Sequence, residues 1–154
     1  MAKGIPDIVP RSKSEWTKLG NKVVGKIKDW TINKGKDVYG RPFKSYSKDY
    51  ATLKSTGLLP RQSTAHAKGK PNFVLTNDTM GDLKVLNATR DSVTIGWASF
   101  GHIIEGQAKR GRVITADKRP VAKHIEKFIE DEYGRQIDRK LKKVSGTTII
   151  KIGG

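Results

Sequence analysis

Few residues in this chain have both the type and the spacing for chemistry. His102 precedes Glu105 by three positions, which on a helix puts both on one face, as a general acid–base pair would need. No nucleophile and no third orienting group stands near them in the sequence, so a helix-face contact is the preferred reading. Asp78 and Asp82 flank "TMG" at i and i+4. Two carboxylates at that spacing are more often turn and cap residues than the start of a magnesium site. His66 reads as a solvated loop residue, and His124 as a packing or surface residue beside an apolar stripe. Neither lies in H-E-x-x-H, and "GHIIEG" has the wrong spacing for a nucleotide-binding glycine motif. The expectation is a protein without catalytic, cofactor-binding or metal-ligating residues, and not an enzyme.

The other chemistry-bearing group is cationic. "KRGR" supplies Lys109, Arg110 and Arg112, and Arg119 follows. Such a cluster can grip phosphate or meet an acidic partner surface. It belongs to a strongly basic chain, with 31 Lys and Arg against 15 Asp and Glu, a net charge of +16. That field attracts polyanions. The basic excess sits toward both ends: residues 71–105 carry two basic against four acidic groups, and residues 106–154 carry thirteen against six. No helix-turn-helix, RRM or zinc motif surrounds the cluster. There are no cysteines, which excludes disulfides and thiolate metal sites and fits a reducing cytosol. The opening "MAKGIPDIVPRSKSEW" lacks a signal-peptide apolar run, and no stretch approaches the ~18 apolar residues that span a membrane.

The elements that must position these residues can be read from periodicity. A length of 154 residues suits one domain spanning 1–154. Residues 1–11 read as an extended arm. "SKSE" is a capping-box pattern with Ser12 as N-cap, and Trp16, Leu19, Val23, Ile27 and Trp30 then fall on one helical stripe. Gly20 and Gly25 each weigh against that helix by about 1 kcal/mol. "VYGRPFKSYSKDYATLK" holds a turn at Gly40 and Pro42, then Ser47 as N-cap of a short helix whose Tyr50 and Leu53 share a docking face. Residues 55–72 read as a long flexible loop.

"FVLT" predicts a short strand. "KVLNATRDSVTIGWASF" predicts a hairpin turning at "TRD", with Val93, Ile95 and Trp97 on one face. Phe100 to Gln107 predicts a short helix carrying Ile103 and Ile104. Thr115 can cap a long final helix with Val121, Ile125, Phe128, Ile129, Tyr133, Ile137, Leu141 and Val144 in a stripe, broken by Gly134 at a bend or close contact. In the 146–154 tail, "TTIIKI" is β-branched and alternating, so Thr148, Ile149, Ile150 and Ile152 predict a strand for pairing with a neighbour's edge. The fold class is therefore α+β: an antiparallel β-sheet packed against a long N-terminal and a long C-terminal helix.

The order of these blocks resembles the virion-morphogenesis and tail-completion proteins, neck components of tailed bacteriophages. Gly40, Pro42, Phe43, Ser47, Tyr50 and Ala51 match their first block. Leu75, Thr76, Met80 and Leu83 match a second, and Val93, Ile95 and Gly96 a strand ending in "IG". His102 and Gly106 follow with a stretched spacing, and "GRVIT" only approximates the family's arginine–aromatic–leucine run. The likeness covers residues 13–144 and is built from fold-determining positions. In that light Gly40, Pro42, Phe43 and Tyr50 form a structural joint.

The resemblance implies a structural subunit of a phage neck, found in the virion and assembled in the bacterial cytoplasm. It implies a homo-oligomeric ring, sixfold by analogy, between a head-side connector and the tail terminator or tube, with DNA passing nearby. Lys109, Arg110, Arg112 and Arg119 would meet partners or face that DNA. A non-specific, phosphate-directed nucleic-acid-binding protein is the alternative. A small hydrolase or ribonuclease using His102 and Glu105 ranks third.

Overall fold

The computed structural model describes residues 12–59 and 78–145, with side chains through Arg135. Helix α1 spans Lys13–Lys28. Ser12 caps it reciprocally: the Glu15 amide donates to Ser12 Oγ at 3.2 Å, and the Ser12 amide donates to the Glu15 carboxylate at 3.0 Å. Two of the helix's otherwise orphaned donors are thus satisfied. Leu19, Val23 and Val24 are buried, and Trp16 and Ile27 pack beside them. The stripe does not stop with α1. It runs on through one π-helical turn, Asp29–Asn33, that the sequence did not signal. The wider turn rotates Trp30 inward, where its indole N–H donates to the Asp37 carbonyl at 2.9 Å.

Helix α2 spans Lys48–Ser55, with Ser47 accepting from the Tyr50 amide as expected. Its buried face differs from the expected one. Leu53 is 54% exposed and Lys54 only 1%. The i, i+4 relation pairs Lys54 with half-buried Tyr50, and Leu53 is rotated away toward water. Helix α3, Asp78–Gly81, is one turn that seats Met80 in the core.

Strands β1 (Leu83–Ala88) and β2 (Val93–Trp97) pair antiparallel. The register shifts between Val85 and Asn87. That irregularity leaves Leu86 exposed and lets both Leu83 and Ala88 be buried, which strict alternation forbids. Thr89 Oγ1 closes the turn by accepting from the Asp91 and Ser92 amides. Helix α1 crosses this hairpin at Gly20, where a Cβ would lie 2.6 Å from Val85 Cγ2 and 2.8 Å from Val93 Cγ2.

Helix α4 spans Gly101–Lys109 and buries Ile104. The Asp82 carboxylate holds its approach, accepting from the Ser99 and Phe100 amides at 2.7 and 3.0 Å. Those bonds lower the Asp82 pKa and account for the carboxylate without a metal. Helix α5 spans Lys123–Ser145. The expected cap at Thr115 is not used. Its hydroxyl donates to the Pro120 carbonyl at 3.0 Å, inside a loop that precedes the helix. Pro120 is the reason, since it biases the residue before it away from helical geometry and lacks an amide to donate.

Ile125 is 1% exposed, and Phe128 and Ile129 pack with it against α1. Glu132 is buried, held by Lys22 at 3.0 Å and Arg135 at 3.1 Å. A Cβ at Gly134 would meet nothing within 4 Å among the described residues, so of the two expected roles, a bend or a close contact, the contact is not found there. Ile27 and Ile95 pack against both core clusters and so join them. The fold class is mixed helix and sheet, with helices at both ends packed on an antiparallel hairpin. No helix among the described residues is long and apolar enough to cross a membrane. The 1–11 arm, most of the 55–72 loop, "FVLT" and the 146–154 tail lie outside the described residues.

Candidate functional site

The joint at 37–43 is built around a residue that the sequence reading passed over. Asp37 is 2% exposed. One carboxylate oxygen accepts from the Tyr39 and Arg41 amides at 2.9 and 2.8 Å, and the other from Arg41 Nε at 3.0 Å. This Asx-type turn forces the chain back on itself, and Gly40 takes the required positive φ of 84°. The Val38 amide donates to the Val113 carbonyl, which ties the turn to the segment before α5. Phe43 then drops into the core at 5% exposure, while Pro42 stays exposed beside the Lys36 bridge. Aspartate at the first position of "DVYG" was the available signal.

The four basic candidates do not share one role. Lys109 and Arg110 are exposed where α4 ends. Arg112 does not face a partner. It is 9% exposed, and its guanidinium donates to the Lys44 carbonyl (2.8 Å), the Ser45 carbonyl (3.0 Å) and Gln107 Oε1 (2.9 Å). The planar fork is what lets one side chain pin three acceptors from two segments. Tyr46 lies 4.6 Å from the Arg112 guanidinium and 4.9 Å from the Lys54 ammonium. Burial, aided by the Arg112 charge, pushes the Lys54 amine down to about 8. Gly111, at φ 79°, makes the reversal that turns Arg112 inward.

Arg119 belongs to a different place. It lines an open cleft of about 490 Å³ with Trp30, Val38, Tyr39, Gly40, Ala122, Lys123 and His124. The His124 ring stands 4.1 Å from Trp30, Lys36 Nζ 5.2 Å from the same indole, and the Arg41 guanidinium 4.8 Å from Tyr39. Burial, with help from Lys26, lowers the His124 pKa against a smaller opposing effect of Asp29. His124 is therefore held toward its neutral form, while Lys36, Arg119 and Lys123 supply positive charge around two aromatic side chains and Arg41 is balanced by its ion pair with Asp37. Such a wall suits an anionic group carried next to an aromatic or apolar one.

His102 and Glu105 are both exposed on α4, and no hydrogen bond joins them. His102 instead stands 6.4 Å from the Phe100 ring. No group of three or more His, Asp or Glu is placed to hold a metal among the described residues. His66 and the tail residues Thr148, Ile149, Ile150 and Ile152 lie outside those residues. In comparison with known proteins, no family model, no curated protein and no solved structure matches this chain.

Proposed function

We propose that this chain is a structural subunit of the phage-neck kind, forming a homo-oligomeric ring between a head-side connector and the tail. The observation that carries this reading is the use made of the 38–54 block. Gly40 turns, Phe43 anchors, Ser47 caps and Tyr50 meets the Tyr46 ring edge-on, so the residues of the resemblance are spent on a joint. The cleft at Arg119 and Lys123 gives the cationic excess an aromatic-backed surface on which an acidic neighbour can seat. Purified full-length protein at rising concentration, followed by mass photometry and negative-stain imaging, tests the proposal. Closed rings are the expected result. A monomer at every concentration would overturn it.

The same cleft favours a second reading, phosphate-directed binding of nucleic acid without base specificity. Tight duplex binding with a steep salt slope by the monomer, and no ring, would support that reading instead.

A further inference from the structure

The cleft between Trp30, Tyr39 and the start of α5 gathers positive charge that the fold does not neutralise. Arg119 and Lys123 line it, and Lys36 Nζ stands 5.2 Å from the Trp30 ring at its border. Among the described residues none of these three cations has an ion-pair partner, and no acidic side chain lines the cleft. Arg119 is half-buried, and no described group accepts from its guanidinium. Its N–H donors are left to whatever enters the cleft. Val38 and Ala122, both buried, floor the cleft with apolar surface.

The two aromatic side chains of the wall differ in what they leave open. Trp30 already meets the His124 ring at 4.1 Å and the Lys36 ammonium. Tyr39 is 50% exposed, yet it is held in place. The Asp37 carboxylate accepts from the Tyr39 amide and from Arg41 Nε, and the Arg41 guanidinium lies 4.8 Å from the Tyr39 ring centroid. An exposed ring fixed by a paired arginine is a preorganised platform, so stacking on it costs little ordering. The cleft therefore asks for a flat ring with negative charge beside it. An acidic side chain brings the charge and no ring. A duplex brings phosphates, but its bases are stacked on one another and reach Tyr39 only after unstacking. An unpaired nucleotide brings both, a ring and the phosphates that flank it.

We propose that this cleft binds single-stranded nucleic acid, stacking one unpaired base on Tyr39 and setting the adjoining phosphates against Arg119 and Lys123. The proposal rests on the phosphate-directed reading and narrows it, from any polyanion to a strand with a free base. The volume of about 490 Å³ admits one nucleotide and excludes a duplex.

Fluorescence anisotropy with the full-length protein separates base from phosphate. The probes are a short oligothymidylate, an abasic strand of equal length and a duplex of that length, all at one salt concentration. An oligouridylate tests RNA beside DNA, and stacking of either strand supports the proposal. The oligothymidylate is expected to bind at least about fivefold more tightly than the abasic strand. Tyr39→Leu is expected to remove that difference while leaving the abasic strand and the duplex unchanged. Tyr39→Phe, which keeps the ring, is expected to retain it. Arg119→Gln should weaken every strand and lower the salt slope by about 1. Equal affinity for the oligothymidylate and the abasic strand, or a Tyr39→Leu variant with unaltered circular dichroism that weakens all probes alike or none, would overturn the stacked base and leave phosphate-directed binding standing. No binding to any strand would overturn both. A charge-matched acidic peptide carrying phenylalanine that binds more tightly than the oligothymidylate would overturn the proposal in favour of a protein neighbour.

Discussion

Lys54 is 1% exposed, with its ammonium beside the Tyr46 ring and near the Arg112 guanidinium. Burying a charge this way is tolerated because the aliphatic stem packs, the Tyr46 hydroxyl accepts from the ammonium at 3.4 Å and the ring face is electron-rich. It still costs stability at neutral pH. The folded-state pKa is about 8 against 10.5 for a free lysine. Between those values the unfolded chain holds more protons, so stability rises with pH through the window and the gain is complete above 10.5. It is lost again as pH falls through about 8. Lys54→Met keeps the stem and removes the titration. Near pH 7 this variant is expected to be more stable by about 1–2 kcal/mol. The advantage should shrink by pH 10, as measured by urea unfolding at both values. An advantage that stays constant across that range means that the ammonium is not what Met relieves. The Tyr46 pairing with Lys54 and Arg112 was not legible in the sequence. All three residues carry polar groups, and only the Gly111 reversal, closing separations of 68 and 67 positions, brings the arginine to the Lys44 and Ser45 carbonyls.

At the scale of elements, α1 shows what sequence pattern can and cannot separate. Its two glycines look alike in the sequence and both weaken a helix. In the fold they differ. A Cβ at Gly20 would run into Val85 and Val93 at under 3 Å, whereas one at Gly25 meets nothing within 4 Å. Gly20→Ala is therefore expected to lose about 1–2 kcal/mol, overpacking outweighing the gain in helix propensity. Gly25→Ala is expected to gain up to about 1 kcal/mol. Thermal melts of the two variants should move in opposite directions. If both rise, the α1–hairpin contact is looser than the fold requires. The capping box, the α1 stripe, the α5 stripe from Val121 to Ile129, the hairpin and α4 were readable because each rests on local periodicity or a cap within four residues. The start of α5 departs from the Thr115 cap that the sequence predicts because Pro120 holds the preceding loop out of helical geometry. The buried face of α2 was misread because Leu53 is the more apolar residue, while the angle of docking, set by Tyr46 and Arg112, selects Lys54. The π turn at Asp29–Asn33 has no sequence signature of its own, and the Trp30 indole reaches the Asp37 carbonyl from within it.

For the whole molecule the governing fact is a net charge of +16. Copies that associate must bring these fields together, and like charges repel over roughly 30 Å at 0.01 M salt but only about 8 Å at 0.15 M. Apolar contacts are indifferent to this screening. Contacts with a polyanion respond the other way, because salt competes with the anion for the same cations. The two uses of the charge thus carry opposite signs. Ring formation is expected to strengthen from 0.01 to 0.15 M salt, while binding to duplex DNA, used as a generic polyanion, is expected to weaken. Arg119→Glu with Lys123→Glu should lower DNA affinity at least tenfold, flatten its salt slope by about 2, and leave ring formation intact. Lys109→Glu with Arg110→Glu provides the comparison for cations away from the aromatic wall. Equal losses from both pairs would reduce the cleft to general field and remove its claim as a seat for an acidic neighbour. Rings that dissolve as salt rises would show that complementary charge, rather than apolar contact, closes the seam between copies.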